Sequence, residues 1–203
     1  MKKLPIYRAV FDEEKDDKMI AISFVDYPAI EVDWMAFSKQ KKPMQFSVED
    51  EDKHIVFGCI MRADYPIYRI GSSGYEYYIQ FEKDTIRKMA QQYLNDGFQN
   101  VTDTNHNHQI SDGVYMQEMF IKDVENGVNP KGFEEIEDGS LFAKFKVENE
   151  ELWQQIKEGT FKGFSIEIWC GSEEIQDPDE QEYQECVELI NKINKKLNNG
   201  KIK

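Results

Sequence analysis

The chain has 203 residues, 40% of them hydrophobic and thirteen of them phenylalanine, enough for one substantial core and too many for wholesale disorder. Its formal net charge of −14 offers no basic footprint for phosphates, so direct binding of DNA or RNA is disfavoured. Cys59, Cys170 and Cys186 are scattered and form no CxxC pair, which suggests a reducing compartment and neither a zinc ribbon nor a disulfide framework. No apolar run approaches the length of a membrane span. The first residues turn acidic before any long apolar segment, unlike a secretory signal.

In chain order, residues 5–11 and 19–25 read as two strands around the acidic turn "DEEKDDK". Pro28 ends the second strand, and "FSKQKKPMQF" is a polar, basic link. "HIVFGCIM" is a strand candidate, followed by a hairpin around Gly71 to Gly74 that feeds a strand at "YEYYIQF". "DTIRKMAQQYLNDG" predicts a helix with Asp84 as N-cap, Gly97 as its stop, and Ile86, Met89, Ala90, Tyr93 and Leu94 on one stripe.

"NVTDTNHNHQISDG" is polar and holds two of the three histidines. "VYMQEMFIKDV" predicts a strand with Val114, Met116, Glu118 and Phe120 on one face. "SLFAKFKV" reads as a further strand, and "NEELWQQIKEG" as a short helix capped by Asn149 and closed by Gly159. "KGFSIEIW" is the last strand, with Phe164, Ile166 and Ile168 on one side and Ser165, Glu167 and Trp169 on the other. The organisation expected is a domain over 1–170, an acidic, disordered linker over 171–182, and an amphipathic helix over 183–203. That last helix carries Tyr183, Cys186, Ile190, Ile193 and Leu197 at heptad-like spacing.

Several residues could carry chemistry. A serine nucleophile needs a base, and histidine is the usual one because its pKa lies near neutrality. Ser165 has only His54, His106 and His108 to draw on, and His54 reads as surface. His106 and His108 form an HxH that could also start a metal site with Asp103 or Asp112, although the cysteines are not spaced to help. Glu118 interrupts an apolar strand face, so it calls for either water, a cationic partner, or an imidazole to orient. Glu167 shares the face of Ser165 and could do the same. There is no GxSxG elbow, Walker loop or dinucleotide fingerprint.

Taken together, "SFVDYPAIE", "NVTDTNHN" followed by "DGVYMQEMFIKD", and "VENEELWQQIKEGTFKGFSIE" resemble segments of the XkdF-like phage serine proteases. Those are similar to the prohead (procapsid) maturation proteases of tailed phages and, more distantly, to the herpesvirus assemblins. The resemblance covers roughly residues 20–169, with the order of segments circularly permuted. It implies an α+β fold, a small mixed β-barrel flanked by helices, here with a C-terminal helix.

The resemblance further implies Ser165 as nucleophile, His106 as general base and an acid as third member. The position where unpermuted relatives place that acid is Ala21, which leaves Glu118 as the first choice, with Glu167 and Asp26 open. No metal or organic cofactor is implied. The expected partners are the phage major capsid protein and scaffold polypeptides, inside the procapsid and in the host cytoplasm during assembly, with a homo-oligomer compatible. A non-catalytic capsid-assembly or scaffolding protein on the same fold, and a metal hydrolase using His106 and His108, are the competing readings.

Overall fold

A computed structural model describes residues 4–26, 47–50, 52–71 and 73–175. The basic link, residues 176–182 and the heptad-like helix over 183–203 lie outside the described residues. Eleven strands and two α-helices are described. The strands are β1 (Ile6–Val10), β2 (Lys18–Val25), β3 (Ser47–Asp50), β4 (Ile55–Met61), β5 (Ile67–Ile70), β6 (Glu76–Gln80), β7 (Thr102–Thr104), β8 (Val114–Ile121), β9 (Leu141–Val147), β10 (Gly163–Trp169) and β11 (Gly171–Ile175). The helices are α1 (Lys83–Asn95) and α2 (Glu150–Lys157).

The class is α+β, as expected, but the strands do not close into a barrel. They form three sheets, ordered β11-β1-β6-β5, β10-β2-β7 and β3-β4-β9-β8. Closure fails because the chain changes sheets at its corners. β10 ends at Trp169, and after Cys170 the same segment continues as β11 in another sheet, antiparallel to β1. A register shift between Glu167 and Ile168 bends β10 just before that corner. β11 also occupies Gly171–Ile175, the first residues of the segment read as an acidic linker.

The β10-β2-β7 sheet positions the site. β2 is the central strand, antiparallel to β10 and parallel to β7. Its core-facing residues Ile22 and Phe24 are fully buried. Phe24 and Phe164 are directly opposed across the ladder, with ring centroids 5.3 Å apart, and Phe145 of β9 packs on both at 5.7 and 5.2 Å. Strand alternation then forces Ser23 and Ser165, one residue away from those rings, onto the opposite face.

The helices close the core from other sides. α1 buries Ile86, Met89, Ala90 and Tyr93, whereas Leu94 is exposed. Its N-cap is Glu82, which makes no side-chain capping bond, rather than Asp84, which sits inside the first turn. The buried Gln92 accepts the Met19 N–H at 2.8 Å, tying α1 to β2. α2 is capped as its sequence predicts, the Asn149 side chain accepting from Leu152 N–H, with Gly159 left-handed at φ +77° just beyond its end. His54 is half-buried rather than surface, stacked on Trp153 of α2 at 4.5 Å.

Candidate active site

Ser23 and Ser165 are direct partners in the β2–β10 ladder, and Ser23 is also partnered with Asp103 across β2–β7. The chain leaves β7 through a tight turn, Thr104–Asn107, closed by Asn107 N–H donating to Thr104 O at 3.1 Å. Asn105 and His106 both have positive φ, +50° and +54°, the signature of a type I′ turn. Asparagine accepts that conformation readily; histidine does so at a cost of about 1–2 kcal/mol.

Neighbouring bonds hold the turn in place. Asn105 N–H donates to Phe24 O at 2.9 Å, and Asp26 N–H donates to Asn105 Oδ1 at 3.2 Å. On the other side, His108 N–H donates to Asp103 Oδ2 at 2.7 Å, and Ser111 N–H to Thr102 O at 2.8 Å.

This geometry lays the His106 ring between the two serines. Nε2 lies 2.8 Å from Ser165 Oγ and Nδ1 lies 3.0 Å from Ser23 Oγ. When the Ser165 hydroxyl donates to Nε2, the neutral ring carries its hydrogen on Nδ1 and donates it to Ser23 Oγ. That is the tautomer a general base requires. Ser23 is fully buried, while Ser165 is partly open to solvent, so of the two hydroxyls only Ser165 is reachable by a large substrate.

Ser165 and His106 are therefore brought together, and the acid expected third is replaced by a serine. Glu118 does not meet His106. Its carboxylate is half-exposed and pairs with Lys144 Nζ at 3.2 Å. The cause is a β-bulge: the β8–β9 register shifts between Met116 and Glu118, which reverses the alternation. Val114 is buried, and Met116, Met119 and Ile121 pack on the main core, while Glu118 and Phe120 turn to the other face. Glu167 is on the face expected, but its carboxylate meets His108 Nδ1, at 3.3 Å, and not His106. Among the described residues, no group of three His, Cys, Asp or Glu side chains is placed to hold a metal ion.

Sequence reasoning missed Ser23, and named Asp103 only as a candidate metal ligand beside His106 and His108. Ser23 had a legible signal, a hydroxyl inside the apolar run "MIAISFV" whose neighbours Ile22 and Phe24 are core. The place of Asp103 beside Ser23 had none, because β7 is a three-residue polar strand recognisable only through its pairing with β2.

Beside the imidazole opens a cleft of about 740 Å³. It is lined by His106, Ile166 and Glu167 together with Tyr7, Arg69 and Tyr77. The Tyr7 and Tyr75 hydroxyls are 3.2 Å apart, and that bond is the main reason the Tyr7 phenol is raised to about 12. Tyr7 packs edge-on to Tyr77, which stacks with Tyr75, so the three rings form a rigid aromatic surface. Burial lowers the pKa of the Arg69 guanidinium.

Comparison with curated proteins returns no match, and neither does comparison with solved structures. The family model described as "Putative phage serine protease XkdF" matches residues 44–174, more than half of the chain. The matched span includes His106 and Ser165 but not β2, so the residue that holds the second imidazole nitrogen comes from outside it. The chain belongs to this family, and is a phage serine protease.

Proposed function

We propose that the protein is an endopeptidase of procapsid maturation, cleaving scaffold and capsid-protein segments by acyl transfer through Ser165. The observation that carries this reading is the Ser165 Oγ to His106 Nε2 hydrogen bond at 2.8 Å, formed at the edge of an open cleft in a phage serine protease. In the first half-reaction Ser165 Oγ attacks the scissile carbonyl and its proton passes to His106 Nε2. The imidazolium keeps its Nδ1–H on Ser23 Oγ, then protonates the leaving amine as the tetrahedral adduct collapses to an acyl-enzyme. In the second half, water attacks the acyl carbonyl as His106 takes its proton, and His106 returns that proton to Ser165 Oγ as the C–Oγ bond breaks and the carboxylic acid leaves.

The cleft suits an extended polypeptide. Its volume lies in the range of ligand sites, and it presents apolar and aromatic surface with a few polar groups. The capsid and scaffold partners, and a location inside the procapsid, follow from the family's phage context and the resemblance to prohead proteases. Co-expression with the phage's capsid and scaffold proteins tests the proposal. Wild-type protein should process them, and Ser165→Ala, folded as judged by circular dichroism, should not. Processing that persists in Ser165→Ala would remove Ser165 as nucleophile. Capsid association by both forms, with no cleavage by either, would favour an assembly role instead.

A further inference from the structure

The imidazole of His106 ends on a neutral hydroxyl, and that hydroxyl has a hydrogen of its own to place. Ser23 Oγ takes the Nδ1 bond at 3.0 Å and is fully buried, with no other side-chain bond among the described residues. Its neighbour across the β2–β7 ladder is Asp103, 4% exposed. One carboxylate oxygen of Asp103, Oδ2, takes the His108 N–H. The other, Oδ1, is buried and has no hydrogen-bond partner among the described residues. A buried carboxylate oxygen left bare is costly, and native structures rarely tolerate one without a purpose. Direct partners in a ladder share a face, and adjacent strands lie about 4.8 Å apart. Asp103 and Ser23 therefore sit side by side on one face of the sheet, with no hydrogen bond between Ser23 Oγ and Oδ1 in this resting geometry.

We propose that Asp103 is the positioning acid of this site, acting on His106 through the Ser23 hydroxyl, so that the site is a relay of Ser165, His106, Ser23 and Asp103. This rests on the protease reading of Ser165 and His106. As Nε2 gains the Ser165 proton, the ring becomes cationic and its Nδ1–H bond to Ser23 Oγ strengthens. The Ser23 O–H then closes on Asp103 Oδ1, a bond that the resting geometry does not make. No proton leaves Ser23 or reaches Asp103; the carboxylate stabilises the imidazolium through one polarised hydroxyl. The other ionisable groups near the ring are Glu167 of β10 and His108, which pair with each other, and Arg69, Tyr7, Tyr75 and Tyr77, which line the same cleft; Asp26, at the end of β2, meets the turn through its backbone N–H. The same aspartate, through Oδ2, holds the loop that carries the base, so one side chain sets both the position and the polarity of the imidazole.

The test is NMR titration of the His106 ring in the full chain, which needs no substrate. Asp103→Asn keeps the size and the acceptor for His108 N–H but removes the charge. It should lower the His106 midpoint by at least about half a pH unit, because the cation loses its stabilising charge. Asp103→Glu should recover part of that shift. In a Ser23→Ala background, Asp103→Asn should move the midpoint far less, since the link is gone.

An unchanged midpoint in folded Asp103→Asn would overturn the proposal. So would a shift of the same size with and without Ser23, which would mean a through-space field and no relay. If Asp103→Asn does not fold, Asp103→Ser takes its place under the same criteria. Labelling of Ser165 with a fluorophosphonate separates this from the protease reading: an unlabelled Ser165 in the wild-type protein would sink the protease reading while the titration result stood.

Discussion

Ser23 and Ser165 face each other across the β2–β10 ladder and hold one imidazole between them, at 3.0 and 2.8 Å. The two hydroxyls are chemically alike and differ in burial. The buried one orients the ring and the open one meets solvent. Division of labour between them is set by position in the fold and not by residue type.

Ser23→Ala should therefore leave a folded enzyme with a free Nδ1. Without a fixed tautomer, acylation should slow by roughly 100- to 1,000-fold, within the range that a positioned base contributes. The loss should fall in kcat with KM little changed, because Ser23 is buried behind the ring. Fluorophosphonate labelling rates, or peptide turnover once a substrate is found, measure it.

Glu118→Gln is the matching negative. Its half-exposed pair with Lys144 contributes at most about 1 kcal/mol, as such pairs do. Processing should be unchanged, and thermal denaturation should show a shift of no more than a few degrees. A large loss of activity with normal stability would contradict the placement of Glu118 on the outer face.

Phe164→Ala acts from beneath the site. The ring is buried against Phe24 and Phe145, and its removal should cost about 3–5 kcal/mol in urea denaturation. The same cavity underlies Ser165 and its partner strand, so activity should fall even at temperatures where the variant stays folded.

Alkaline pH should destabilise the fold through Cys170. Burial raises its thiol from 9.0 to about 11, with Asp17 adding to the shift. The unfolded chain then ionises first as pH rises, so the stabilisation is whole below about pH 9 and is lost across pH 9 to 11. Cys59 and Tyr93, whose pKa values burial also raises, act in the same direction. Chemical denaturation at pH 8 and pH 10.5 should show the loss, and Cys170→Ser should reduce it. Alkylation mapped by mass spectrometry should find Cys170 slow at pH 8.

Much of this site was legible before any coordinates. The alternation in "KGFSIEIW" separates Phe164 from Ser165 correctly, and the α1 stripe identifies its buried face apart from Leu94. The parts that were not legible share a cause: they depend on pairing between distant segments. β7 is three polar residues that count as a strand only beside β2. The bulge that turns Glu118 outward exists only in the ladder with β9, and a strand read alone has no phase error. Separate sheets in place of a barrel reflect the corner at Cys170, where the lone Gly171 does not by itself tell a change of sheet from the start of a linker. Resemblance supplied the serine and the histidine; the sheet supplied the partner on the far side of the ring.

The left-handed turn at Asn105 and His106 sets fold and activity against each other at one residue. Glycine would occupy that φ without penalty, so His106→Gly would relieve backbone strain of about 1–2 kcal/mol while deleting the base. The position is one where selection for a sturdier protein and selection for a working one pull in opposite directions. A screen for thermal stability alone would drift toward an inert protein at this residue.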